Sequence, residues 1–172
     1  MKILFTGGGS GGHFYPIIAI AEQIEKIVEE KKLLEPSLYF MSPDVSDERM
    51  LYDHRIAYIP VRAGKLRIYF SLRNVVDVVK TVFGTIGALF KMFSIFPDVV
   101  FSKGGYGSMP AVLSARILQI PIIIHESDSV PGRANKWAGK FADRIAVSYP
   151  ETTEYFPKER VAWTGQPVRR TI

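Results

Sequence analysis

Short runs of apolar, mostly β-branched residues alternate along this 172-residue chain with longer segments of helical periodicity. Strands that alternate with helices indicate a mostly parallel sheet with right-handed crossovers and helices on both faces. We therefore predict one α/β, doubly wound, Rossmann-like domain with a sheet of about seven strands. The predicted strands cover residues 2–6, 38–41, 58–61, 98–102, 121–125, 144–148 and 161–164.

The clearest helical pattern begins near Ile17, and Pro16 suits the first turn of such a helix. Further helices are predicted at residues 46–54, 74–93, 108–118, 132–141 and 151–156. The chain contains no cysteine, which excludes disulfides, thiolate metal sites and a cysteine nucleophile. A chain of this kind suits a reducing compartment, and the cytoplasm is the simplest expectation.

Two glycine-rich loops follow the first and fourth predicted strands. Residues 7–12 read GGGSGG and residues 102–108 read SKGGYGS. In a doubly wound sheet both loops lie at the carboxyl edge, where backbone N–H groups and helix N-termini attract anions. The two loops could together bind one extended anion such as a diphosphate, with Lys103 adding a charge and Ser108 capping the next helix.

Other interpretations of the first loop remain open. It could be a strand-to-helix turn that binds nothing, although one glycine usually suffices for such a turn. It also satisfies GxGxxG, a match typical of dinucleotide-binding oxidoreductases. Against that class, Pro16 is expected to delay the helix, and Asp44 lies too far along the chain to serve as the acidic residue of the second strand.

A third loop leaves the fifth strand at the same edge with three ionisable residues, His125, Glu126 and Asp128. They are candidates for ligand binding or acid–base chemistry. Alternatively, His125 is a core histidine and the two carboxylates belong to turns or caps.

Six basic residues and one acidic residue lie between residues 62 and 93, so this segment carries a charge of +5, equal to the net charge of the chain. Its apolar residues either belong to the core or dock on anionic lipid beside the basic side chains. The longest uninterrupted apolar stretch, residues 81–90, is well short of the ~20 residues that a spanning helix needs. We expect no membrane crossing.

Through these loops, the chain resembles the MurG family, the N-acetylglucosamine transferases of peptidoglycan synthesis. The resemblance runs through the whole chain in order. Asp128 stands where many members have asparagine, and a carboxylate can only accept hydrogen bonds. The resemblance is carried by GGGSGGHFYP (7–16), FSKGGYGSMPAV (101–112), IIIHESDSVPGRANK (122–136) and TGQPVR (164–169).

The resemblance implies the two-domain GT-B architecture, in which the N-terminal domain binds a lipid-linked muramyl-pentapeptide acceptor and the C-terminal domain binds UDP-N-acetylglucosamine. We expect residues 1–172 to form the acceptor-binding domain, with the donor-binding domain absent from the chain. The chain is then an excised domain or the membrane-recruiting subunit of a split transferase. We expect no cofactor, no metal and no nucleic-acid partner.

The resemblance also implies site residues. His13 is the candidate general base for inverting transfer, and Glu126 is the runner-up. The protein is expected to be cytoplasmic and peripheral on the inner face of the plasma membrane. The remaining substrate-binding candidates are Gly8, Gly9, Ser10, Gly11, Gly12, Lys103, Gly104, Gly105, Tyr106, Ser108, Asp128, Asn135 and Arg169, with Asn135 equally suited to a structural role. The membrane candidates are Lys65, Leu66, Arg67, Tyr69, Phe70, Arg73 and Lys80.

Overall fold

A computed structural model describes residues 1–8, 11–65 and 72–169, except for the side chains of residues 72–75. Within them, seven parallel strands form one sheet in the order β3-β2-β1-β4-β5-β6-β7. The prediction of a doubly wound sheet is confirmed, with strand ends shifted by one or two residues. The strands are Lys2–Thr6 (β1), Ser37–Ser42 (β2), Ile56–Pro60 (β3), Val99–Ser102 (β4), Ile122–Glu126 (β5), Arg144–Val147 (β6) and Val161–Trp163 (β7).

Helices connect the strands on both faces of the sheet. The segment predicted as a helix at residues 151–156 is instead a 3-10 helix, Pro150–Tyr155, and a second one covers Tyr106–Ser108. The α-helices of the described residues are Gly11–Lys31 (α1), Glu48–Asp53 (α2), Leu72–Ile95 (α3), Met109–Ile117 (α4) and Arg133–Ala138 (α5).

The start of α1 differs from the prediction. The helix begins at Gly11, inside the glycine cluster, and Pro16 lies within it. Pro16 has no N–H, so the helix lacks the hydrogen bond that this residue would donate to the carbonyl of residue 12 in the first turn. The turns on either side tolerate that loss. The expectation that Pro16 delays the helix is therefore wrong, and with it one reason for setting aside the dinucleotide-binding alternative.

The core consists of two apolar clusters, one on each face of the sheet. Leu4 points into the cluster with α3 and α4, whereas its neighbours Ile3 and Phe5 point into the cluster with α1 and α2. This alternation follows from the two-residue period of a strand. Helices cover both faces of the sheet, so the loops meet at the open edge formed by the carboxyl ends of the strands.

Helix α3 turns its apolar side outward. The face in contact with the domain is narrow and includes Asp77, Gly84, Ala88 and Met92. A Cβ on Gly84 would clash with the carbonyl oxygen of Arg62, so the segment before α3 lies directly on the helix backbone. Of the two alternatives for these apolar residues, a place in the core is wrong for eight of them, which are at least 46% exposed: Val76, Val78, Val79, Val82, Phe83, Ile86, Phe90 and Phe93.

By length and composition, one stretch among the described residues, Val76–Ile95, could cross a membrane. The same stretch contributes Ala88 and Met92 to the core cluster, and its helix connects β3 to β4, which belong to one parallel sheet. Helix α3 is therefore an element of the doubly wound domain with an unusually apolar outer face.

Candidate functional site

The two glycine loops meet where the strand order reverses, between β1 and β4. Ligands of doubly wound sheets bind in the crevice at this position. The Lys103 N–H donates to the Thr6 carbonyl at 2.9 Å, which joins the two loops at their start. The predicted convergence of the loops is confirmed.

The glycines allow the two backbones to touch. Gly105 has φ +80°, and a Cβ on it would clash with the Gly8 carbonyl oxygen. A Cβ on Gly8 would lie 3.1 Å from the Cα of Gly107. At least part of the glycine requirement therefore comes from contact between the loops and not from a ligand. Gly9 and Ser10 lie outside the described residues.

The N-terminus of α1 faces the same crevice edge. Gly11 is half-buried beside the ring of Tyr15, and Gly12 is exposed. The first four N–H groups of a helix have no partner within the helix and carry a partial positive charge. Together with the backbone of the second loop, they form a surface suited to an anion.

His13 lies in the first turn of α1 between the two loops. Its Nδ1 lies 3.1 Å from the carbonyl oxygen of Lys103. A carbonyl can only accept, so Nδ1 carries the proton and Nε2 keeps its lone pair. A Cβ on Gly105 would lie 3.1 Å from Nε2, and the glycine leaves that space open. Burial, and next the charge of Lys103, lower the pKa of His13 from its usual 6.5, so the ring is a neutral base at pH 7.

Glu126 is oriented inward at the end of β5. Its Oε1 accepts hydrogen bonds from the backbone N–H groups of Ser127 and Asp128 at 2.8 and 3.0 Å. Its Oε2 accepts from Gly132 N–H and from Asn135 Nδ2, both at 3.0 Å. Four donors around one carboxylate hold the loop after β5 in shape.

Asn135, on α5, is buried against the second glycine loop. Its Nδ2 also donates to the carbonyl of His125 at 3.2 Å. Its buried Oδ1 has no hydrogen-bond partner among the described residues and lies where a Cβ on Gly104 would come within 2.7 Å. Gly104 has φ +82°, so a side chain there would meet both backbone strain and the Asn135 amide. Asn135 thus has a structural role, because it packs against Gly104 and donates to the His125 carbonyl.

Lys103 and Ser108 differ from their predicted roles at the crevice. Lys103 is 2% exposed, and its ammonium lies against the start of the loop after β5, where it contacts His125 and the Ser127 hydroxyl. Ser108 does not cap α4, because its hydroxyl donates to the Gly105 carbonyl at 2.9 Å instead of accepting from the helix. The hydroxyl therefore fixes the second glycine loop.

Lys65, predicted at the membrane surface, is exposed with its Nζ 6.0 Å from the centre of the Tyr106 ring. Arg169 lies with its guanidinium 4.8 Å from the centre of the Tyr15 ring, near the start of α1. Both cations thus approach the glycine loops from solvent. Leu66, Arg67, Tyr69 and Phe70 lie outside the described residues, as does the side chain of Arg73.

Asp44 lies beside the first glycine loop, although its place in the sequence argued against the acidic residue of a dinucleotide-binding site. The turn after β2 brings its Oδ1 to 3.3 Å from the Ser42 hydroxyl and to 3.4 Å from the position of a Cβ on Gly8. Burial, and next the charge of Asp44, raise the pKa of Tyr106. Its place three residues after a predicted strand was the signal that could have identified it.

Comparisons with known proteins identify the family of this chain. Residues 3–147 match the model of the glycosyltransferase family 28 N-terminal domain. The chain belongs to glycosyltransferase family 28. This family assignment does not support the dinucleotide-binding alternative.

Two family 28 relatives bear the name UDP-N-acetylglucosamine--N-acetylmuramyl-(pentapeptide) pyrophosphoryl-undecaprenol N-acetylglucosamine transferase. The one from Treponema denticola is 41% identical over 97% of this chain and 44% of its own length. The one from Bacillus cereus, numbered 2, is 38% identical over 99% of this chain and 47% of its own length. The chain spans about half the length of the curated relatives that it matches.

Solved structures share the family 28 fold. MurG from Acinetobacter baumannii matches with a TM-score of 0.74 and 24% identity, over 99% of this chain and 46% of that one. The lipopolysaccharide outer core galactosyltransferase WaaB matches with a TM-score of 0.67 and 14% identity, over 98% and 46%. The predicted fold, the N-terminal half of a GT-B glycosyltransferase, is confirmed.

Proposed function

We propose that this chain is the acceptor-binding domain of an inverting glycosyltransferase. The enzyme transfers N-acetylglucosamine from UDP-N-acetylglucosamine to a lipid-diphosphate-linked muramyl-pentapeptide. One observation carries the proposal: in a family 28 domain, a neutral histidine with an accessible Nε2 lies between two glycine loops whose N–H groups suit a diphosphate. The names of the relatives supply the donor and acceptor classes.

His13 is the proposed general base. Its Nε2 takes the proton of the muramyl C4 hydroxyl while that oxygen bonds to the anomeric carbon of N-acetylglucosamine. The bond from that carbon to UDP breaks, UDP leaves with the electron pair, and the configuration inverts. We prefer His13 to Glu126, because four hydrogen bonds from the chain already occupy the Glu126 carboxylate.

The acceptor diphosphate is proposed to lie over Gly105 and the first turn of α1, since the buried Gly104 N–H already donates to the Ser102 hydroxyl at 3.1 Å. Backbone N–H groups there would donate to its oxygens, as at other helix N-termini that bind phosphate. The exposed Lys65 and the half-buried Arg169 are cations beside these loops, whereas the Lys103 ammonium is buried. Asp128, near the start of the neighbouring loop after β5, is proposed to accept a hydrogen bond from a sugar hydroxyl.

A separate donor-binding half is part of the proposal, because the matched relatives are about twice as long as this chain. That half lies in the same polypeptide or, if the transferase is split, in a partner subunit. UDP-N-acetylglucosamine would then bind between the two halves, opposite the glycine loops.

Reconstitution tests the proposed function. This chain is mixed with the separately produced C-terminal half of the Treponema denticola relative, and transfer from radiolabelled UDP-N-acetylglucosamine to a lipid-diphosphate muramyl-pentapeptide is measured. We expect transfer only when both pieces are present, because each contributes one substrate site. Turnover by this chain alone, or tight binding of NAD(P) in place of the lipid acceptor, would contradict the proposal.

We also propose that the outer face of α3 docks on the cytoplasmic surface of the plasma membrane. It combines exposed Phe83, Phe90 and Phe93 with the exposed cation Lys80. A depression of about 250 Å³ between Arg62 and Lys80 has mainly apolar walls. An apolar face bordered by cations is typical of peripheral binding to anionic lipid, and it would keep the acceptor's lipid tail in the bilayer.

Vesicle co-sedimentation tests the membrane proposal. We expect binding to increase with the anionic lipid fraction and to fall as salt is raised, because salt shortens the Debye length from about 30 Å at 0.01 M to about 10 Å at 0.1 M. Replacing Lys65, Arg67, Arg73 and Lys80 with Gln should abolish it, since each cation near the surface contributes about 1 kcal/mol.

The matched control replaces four exposed lysines elsewhere, Lys31, Lys32, Lys140 and Lys158, with Gln and so removes the same charge. This control variant should sediment like the unchanged chain. Equal losses in the two variants would mean that net charge alone drives binding, and equal sedimentation with neutral vesicles would assign no role to the cations.

A further inference from the structure

The side chain of Lys103 is buried behind the second glycine loop, where the proposed mechanism makes no use of its charge. Its Nζ lies 2.8 Å from His125 Nδ1 and also donates to the hydroxyl of Ser127. Both of these acceptors are neutral groups. A lysine that is 2% exposed usually has a carboxylate in direct contact, so a buried ammonium whose direct partners are neutral is unusual.

The hydrogen bonds of His125 fit a charged Lys103 beside a neutral imidazole. An ammonium can only donate, so His125 Nδ1 accepts and its Nε2–H donates to the Gly165 carbonyl at 3.1 Å. Burial, and next the charge of Lys103, lower the pKa of His125 to about 4. Burial lowers the pKa of Lys103 to about 8 against the opposing charges of Glu126 and Asp128, so Lys103 stays charged at pH 7.

The same lysine holds His13 through its backbone. The Lys103 carbonyl accepts the Nδ1 proton of His13, and the Cβ of Lys103 lies 3.2 Å from the position of a Cβ on Gly7, directly under the first loop. The charged groups that act on His13 are Lys103, which disfavours the imidazolium ion, and Glu126 and Asp128, which favour it. Lys103 is thus the cation that offsets the two carboxylates.

We propose that Lys103 is a positioning residue for His13. Its carbonyl selects the tautomer with a free Nε2. Its buried ammonium disfavours the imidazolium ion, which Glu126 and Asp128 favour. Lys103 touches neither substrate in this arrangement and acts through His13. The ammonium is oriented by His125 and Ser127, so the loop after β5 takes part in setting the state of the base. The catalytic consequence rests on the proposed function, whereas the effect on the His13 ring does not.

The test is Lys103→Met, which removes the charge and keeps an unbranched side chain and the backbone carbonyl. Histidine-ring NMR titration of this chain is well suited to it, because the chain has only three histidines. We expect the pKa of His13 to rise toward its usual value and the pKa of His125 to rise with it. The 15N shifts should still show His13 protonated at Nδ1.

Two internal references separate this effect from a general disturbance. His54, which lies between Glu22 and Glu25 on another surface, should not shift. Lys140→Met removes an equal charge from an exposed position and should leave His13 unchanged. Circular dichroism and the His54 signal report whether Lys103→Met remains folded, and Lys103→Arg, which keeps the charge, should hold the pKa of His13 low.

The proposal is overturned if the pKa of His13 changes no more in Lys103→Met than in Lys140→Met, or if the folded chain carries its His13 proton on Nε2. In the reconstituted transferase, the acid limb of kcat/KM for the acceptor should move to higher pH in Lys103→Met. An NMR shift without this change in the pH profile would keep the role of Lys103 and reject His13 as the base.

Discussion

Replacing His13 with alanine is expected to lower kcat of the reconstituted transferase by about 10²-fold or more, the usual scale for loss of a general base. The KM for the acceptor should change less, because the backbone N–H groups that are proposed to bind the diphosphate remain. In the unchanged enzyme, kcat/KM should fall on the acid side, and the midpoint of the fall should lie below pH 6.5. The reason is that the base must be neutral and the pKa of His13 lies below its usual 6.5.

Two variants make this result specific. His54→Ala removes a histidine that contacts Glu22 and Glu25 away from the crevice, and it should leave kcat unchanged. Glu126→Gln keeps the shape of the side chain but offers one acceptor oxygen where the carboxylate has two, so it should loosen the loop after β5. If Glu126→Gln abolished turnover in a folded protein and His13→Ala did not, Glu126 would be the base.

Replacing Gly105 with alanine is expected to reduce both stability and turnover. The residue has φ +80°, and its new Cβ would clash with the Gly8 carbonyl oxygen and come within 3.1 Å of His13 Nε2. With its ψ of 166°, this backbone lies in a region essentially restricted to glycine, which costs another residue about 1–3 kcal/mol. With the clash added, we expect a loss of about 2–4 kcal/mol in the free energy of unfolding. Displacement of His13 should lower kcat by about 10²-fold.

Gly165→Ala is the matched control for Gly105→Ala. Gly165 has φ +79°, but a Cβ there would meet nothing within 4 Å. Chemical denaturation of the two variants therefore separates the cost of a positive φ, which both positions have, from the cost of the contact between the loops. Equal losses would mean that the glycine loops do not need their close approach.

Local patterns in the sequence were sufficient to predict the strands and most helices. Apolar runs such as residues 2–6 and 98–102 can be buried only in a sheet covered on both faces, and the carboxyl ends of parallel strands share one edge. This logic placed both glycine loops and His125 correctly. It failed at Pro16, because the loss of one hydrogen bond near a helix end is small beside the burial of Phe14, Ile17 and Ile18.

The direction in which side chains point was decided by contacts between distant parts of the chain. Lys103 looked like a phosphate ligand because it follows a strand beside glycines, but its ammonium reaches His125 and Ser127, which lie 22 and 24 residues further on. The carboxylate of Glu126 is oriented by Gly132 and Asn135 in the same way. A sequence pattern locates a residue at an edge, whereas the partner across the edge determines whether its side chain faces solvent or the interior.

By itself, then, the sequence determined the doubly wound parallel sheet, the convergence of two glycine loops at its switch point and the family resemblance. These depend on periodicity and on short motifs, which are local properties of the chain. Only the tertiary structure decided that Gly8 and Gly105 bring the two loops into contact, that His13 keeps Nε2 free, and that α3 presents its apolar face to solvent. Those outcomes depend on which backbone atoms approach one another across β1 and β4, and on the side of α3 where Gly84 lets the preceding segment lie against the helix.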